Sequence, residues 1–152
     1  MKKFFPSTVV FTFILTIVAM ILTNKYSLNF KDSVDLMPGG NGNAALIFIF
    51  MFSPFILYFF ISMTIIFNSI YMKSGINKYL FRYSSIFLFF ILLTVTVVRI
   101  LNFHSNIKDN YDYELNYLNT FSNHLFFNWY TFLLILCLSA IISTFYKKKP
   151  GL

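Results

Sequence analysis

Apolar residues run through this chain in four long blocks separated by short polar segments. The longest, 44–72, reads AALIFIFMFSPFILYFFISMTIIFNSIYM before its first charge at Lys73. Its apolar side chains cover every face of a helix, whereas a surface helix in water confines them to one stripe. At about 1.5 Å per residue it outreaches the ~30 Å hydrocarbon core of a bilayer. The other blocks, at 4–23, 80–103 and 125–146, have the same character. The pattern predicts an all-α integral membrane protein: one domain over residues 1–152, with four transmembrane helices in an up-down bundle.

The segments between the blocks punctuate this plan. Lys2 and Lys3 before an apolar run resemble the start of a secretory signal. The run is too long for a signal core, however, and no small-x-small site follows it, so an uncleaved first span is expected. Pro38, Gly39, Gly40 and Gly42 end the first polar loop, 24–43. They read as a turn, because the Lys-Ser/Thr that completes a phosphate-binding loop is missing. Pro54 lies inside the second block, where a missing backbone donor predicts a kink. The short connection 73–79 makes the second and third spans neighbours.

Thr8, Thr12 and Thr16 recur at four-residue steps, and Ala19 and Thr23 continue the face. Small polar residues at this spacing let membrane helices approach closely. Each hydroxyl has an alternative partner in its own backbone, the carbonyl four residues earlier. The aligned stripe favours helix packing. Between 102 and 124 a second pattern, Ile107, Tyr111, Leu115, Leu118, Phe121 and Leu125, follows three- and four-residue steps. It describes an amphipathic outer segment before the fourth span, or a tyrosine-rich irregular loop.

Composition agrees with the blocks: 11% of residues are charged and mean hydropathy is +0.71, against about a quarter charged in a soluble domain. The abundance of Phe, Ile, Asn, Lys and Tyr suits an AT-rich bacterial genome. The net charge of +7 comes from basic residues scattered in ones, twos and threes, which build no groove for nucleic acid. Their distribution instead sets orientation. Lys2, Lys3, Lys73, Lys78, Arg82 and Lys147, Lys148 and Lys149 fall on one side; all five acids, Asp32, Asp35, Asp109, Asp112 and Glu114, fall on the other. The positive-inside rule then places both termini in the cytoplasm of a cell membrane, with the basic side against anionic headgroups.

Candidate chemistry is sparse. Arg99 is the charge nearest the membrane interior, and intramembrane ionisable residues are functional candidates. Its closeness to Asn102 favours snorkelling to headgroups or pairing with an outer-loop acid. His104, Asp109, Asp112, Glu114 and His124 are metal-ligating types, but their spacing fits no zinc or calcium pattern, so a solvated acidic loop is expected. The single cysteine, Cys137, forms no internal disulfide. No block contains Asp or Glu for proton-coupled transport, and no mid-block histidine offers a haem ligand.

These features lead to an expectation of no enzymatic activity and no cofactor. They favour a protein acting by association with another membrane or extracytoplasmic protein, in an accessory, regulatory or immunity-type role. Asp109, Asp112, Glu114 and Arg99 are the candidate partner-binding residues, and Thr8, Thr12 and Thr16 the packing residues. The alternative is a small transporter or channel component working as a homo-oligomer.

Overall fold

The computed structural model describes residues 4–27, 44–111 and 123–146. Within them the chain is helical: α1 (Phe4–Lys25), α2 (Ala44–Ser74), α3 (Lys78–Tyr111), α4 (Asn123–Phe126) and α5 (Trp129–Ser143). Four stretches are long and apolar enough to cross a membrane: Phe5–Lys25, Ala45–Ser74, Lys78–Asp109 and, with α4 and α5 taken together, Asn123–Ser143. The protein is an all-α four-helix membrane bundle.

What is buried and what is exposed follow the physics of a bilayer. Phe50, Leu57, Phe87, Phe90 and many other large apolar side chains face outward. The interior collects small and polar ones: Thr12, Thr16, Ser62, Thr64, Ser139 and Ser143 are all buried. Lipid offers large apolar groups as good a home as the protein does, so helices gain by bringing small residues together and letting backbones approach. Larger groups fill one place, where Met20, Phe59 and Phe132 form a core joining α1, α2 and α5. Phe59 stacks on Phe132 with ring centroids 5.8 Å apart, and Phe13 of α1 leans on Phe59 at 5.5 Å.

Residue pairings fix the helix directions. Tyr26 meets Phe48 while Phe13 meets Phe59, so α1 and α2 run antiparallel. Phe59 meets Phe132 while Asn68 reaches Ser143, so α2 and α5 run parallel. Arg82 reaches Thr144 while Arg99 lies over Tyr130, so α3 and α5 run antiparallel. The main contacts are α1 with α2, α2 with α5, and α5 with α3. The helices therefore pack in the order α1, α2, α5, α3.

This order departs from the neighbour relation expected of the second and third spans. Gly75, at φ 66°, ends α2 in the left-handed conformation open to glycine. Two residues later the Asn77 side chain accepts the Tyr79 amide at 2.9 Å and starts α3. The two helices touch near this turn, where Phe81 packs against Phe67 and Tyr71. Beyond it α5 fills the space between them, because its small residues Ser139, Ala140 and Ser143 admit a close approach.

Two helices differ from their expected bounds. α3 continues to Tyr111, well past 103, so Ile107 belongs to a continuous rod of about 51 Å, not to a separate outer segment. Ile107 is buried, which anchors this extension; residues 112–122 of the expected amphipathic stripe lie outside the described residues. The fourth span is broken at Phe127 and Asn128, between α4 and α5. Within α2 the helix passes through Pro54. Proline cannot donate to the Phe50 carbonyl, and the Ser53 hydroxyl donates to it instead at 2.8 Å.

Candidate functional site

Polar side chains gather at the two ends of the bundle. At the basic end, where Lys73 and Lys78 lie, the last turn of α5 exposes carbonyls that have no partner in their own helix. Side chains from two other helices supply the donors. Asn68 Nδ2 of α2 donates to the Ser143 carbonyl at 2.8 Å. Arg82 of α3 donates through Nε to Thr144 Oγ1 at 2.9 Å and through Nη2 to the Thr144 carbonyl at 3.3 Å. Tyr71 Oη donates more weakly to the Tyr146 carbonyl at 3.4 Å. The guanidinium also lies 4.2 Å from the centre of the Phe145 ring. A positive group at a helix C-terminus is favourable because the helix dipole is negative there.

At the opposite end the break in the fourth span is organised by Asn128. Its Nδ2 donates back to the His124 and Leu125 carbonyls at 2.9 and 2.7 Å, satisfying the end of α4. Its Oδ1 accepts the Tyr130 and Thr131 amides at 2.8 and 3.3 Å, capping α5. Thr131 Oγ1 accepts the Asn128 amide in return at 2.9 Å. One side chain thus serves both helix ends, and irregular backbone near a membrane interior requires such internal partners. A cavity of about 80 Å³ lies beside the break, against Met20 and Asn24 of α1.

No protein family matches the chain, and neither a curated protein nor a solved structure does.

The residues singled out in the sequence fall in three places. Thr12 and Thr16 are buried and Thr8 is partly so. Their stripe continues through Ala19 and Thr23, both fully buried. At the same time Thr12 donates to the Thr8 carbonyl at 2.9 Å and Thr16 to the Thr12 carbonyl at 2.8 Å. The hydroxyls serve their own backbone while the small faces pack.

Arg99 is half-buried, with its guanidinium 4.6 Å from the ring centre of Tyr130 on α5. The arginine finds its contact across the α3–α5 interface, on a ring 31 residues away that no local spacing reveals. Asp109 is exposed at the far end of α3 and accepts from Ser105 at 3.0 Å. Asp112 and Glu114 lie outside the described residues. His104 and His124 both set ring edges against Phe103, at 5.7 and 5.8 Å. Among the described residues no three His, Cys, Asp or Glu side chains converge to hold a metal.

Sequence reasoning gave Arg82 only a topological role and gave Asn128 none. A cap signature, Asn128 with Thr131 three residues on, was present for the second. Nothing local marks the first, because its partner Thr144 lies 62 residues away.

Proposed function

We propose that this is a multi-pass protein of a bacterial cell membrane that acts by associating with another membrane or extracytoplasmic protein, and not by catalysis. The observation that carries the reading is the form of α3. It packs chiefly on α5, at the edge of the bundle, and its 34 residues exceed a bilayer core by about 20 Å. The surplus puts Ser105, Lys108 and Asp109, all exposed, beyond the hydrocarbon zone. Asp112 and Glu114 follow directly in the sequence. A helical rod bearing Asp109 near its tip, with two further acids next in the sequence, suits electrostatic steering of a basic partner. In this reading both ends of the chain are cytoplasmic, and the Asp109 end of α3 is extracytoplasmic.

The test is site-specific photocrosslinking in native membranes from position 105, with and without Asp109→Lys, Asp112→Lys and Glu114→Lys together. The expected result is a discrete adduct that the charge reversal removes while membrane insertion persists. An adduct that survives the reversal refutes the acidic tip as the binding element. Solute flux through liposomes containing the purified protein alone would establish the transport reading instead.

A further inference from the structure

A groove of about 370 Å³ lies between α3 and α5, floored by Phe67 of α2. We propose that it holds one acyl chain of an anionic phospholipid, whose phosphate rests against Arg82 and Lys78. This does not depend on the association reading.

The shape of the groove selects the occupant. On α3 its lining runs from Phe81 and Ser84 to Leu92, and on α5 from Ala140 back to Leu133. Phe81 to Leu92 is about 16 Å of helix rise, close to the ~15 Å of one leaflet and about half of the full core. A transmembrane helix from a partner or a second copy would call for a groove through the full thickness. An acyl chain entering from one headgroup layer matches the depth. The lining side chains are predominantly apolar, and the two serines spend their hydroxyls on the Phe81 carbonyl at 3.1 and 2.8 Å. The wall therefore offers a chain van der Waals contact and makes no polar demand on it. Leu88 and Leu133 at the mouth are about half exposed, which leaves a lateral entrance from the bilayer.

Charge at one end completes the site. The groove's lining reaches Phe81, next to Arg82 in the chain, and on α5 it stops at Ala140, about one helical turn short of Thr144. Arg82 uses Nε and one Nη2 hydrogen on Thr144, and a guanidinium carries five donors. Those that remain, on a half-buried side chain held in place by Phe145, match the planar recognition that phosphate oxygens favour. Lys78 stands one turn earlier on the same helix and adds a second cation. A zwitterionic headgroup would bring its own cation to this end and lose the advantage.

The protein is reconstituted in vesicles of equimolar dioleoyl phosphatidylglycerol and dioleoyl phosphatidylcholine, extracted gently and weighed by native mass spectrometry. The wild type should retain phosphatidylglycerol over phosphatidylcholine by about tenfold, the ratio a single charge-assisted hydrogen bond can supply. Arg82→Gln should bring the ratio close to unity. Leu88→Trp, which fills the mouth from a side chain already half exposed, should abolish retention of both lipids. Phe87→Trp, at a more exposed neighbouring position, should leave retention unchanged and so controls for folding. Equal retention of the two lipids by the wild type overturns the proposal, as does retention unaffected by Leu88→Trp. A dimer mass lost in Leu88→Trp would assign the groove to a second copy of the chain and equally overturn it.

Discussion

Arg82 on α3 holds Thr144 at the end of α5 through Nε at 2.9 Å and Nη2 at 3.3 Å, across 62 residues of sequence. Arg99, the other arginine of α3, meets α5 only through the face of Tyr130, at 4.6 Å. The two contacts fasten opposite ends of the same helix pair with unequal strength.

Substituting the two arginines separates them. Arg82→Gln removes charge-assisted bonds to a helix end and should cost about 1.5–3 kcal/mol. Arg99→Gln removes a cation–ring contact and should cost about 0.5–1 kcal/mol. Thermal unfolding in detergent should rank Arg82→Gln below Arg99→Gln, with Tyr83→Ala, exposed beside Arg82, near the wild type. The reverse order would show that the α5 terminus is held by Asn68 and Tyr71 without Arg82.

The break at Asn128 yields a graded series. Asn128→Leu leaves carbonyls of α4 and amides of α5 without their partner and should cost about 1–3 kcal/mol. Asn128→Ser retains a cap acceptor but cannot donate to His124 and Leu125, so its cost should be intermediate, near 1 kcal/mol. The check is the order of unfolding temperatures, wild type above Ser above Leu. A Leu variant as stable as the wild type would mean that the span closes into one continuous helix.

The threonine stripe separates size from polarity. The Thr16 hydroxyl bonds its own helix at the Thr12 carbonyl, so Thr16→Val, which keeps the shape, should change stability by less than about 1 kcal/mol. Thr16→Leu enlarges a fully buried contact and should cost about 1–3 kcal/mol by overpacking. Ile14→Leu, on an exposed face, should be neutral. Equal losses for Val and Leu would show that the hydroxyl, not the close approach, stabilises the α1–α2 interface.

How much of this was legible beforehand follows from the range of each interaction. Span existence depends on local hydrophobicity, so the four blocks emerge, three with nearly their observed bounds and the third eight residues short of the end of α3. The threonine stripe is legible for the same reason, since one helical period defines it. The packing order was not, because a short loop at Gly75 joins α2 and α3 without making them pack along their length. That decision belongs to Ser139, Ala140 and Ser143 on α5, whose small surfaces let it come between them. The break before α5 was signalled by Asn128 and Thr131 but masked by the apolar residues on either side. Long-range pairs such as Arg82 with Thr144 or Arg99 with Tyr130 have no local signature at all.

Orientation is the claim on which the external acids and the lipid site's leaflet both rest. It is tested by labelling single cysteines in a Cys137→Ser background with a membrane-impermeant maleimide on intact cells. Ser105→Cys, at the exposed far end of α3, and Asn116→Cys, further along the sequence, should react from outside; Ser74→Cys, exposed at the basic end, should react only after permeabilisation. Labelling of Ser74→Cys on intact cells, with Ser105→Cys and Asn116→Cys protected, would invert the protein in the membrane and contradict the account.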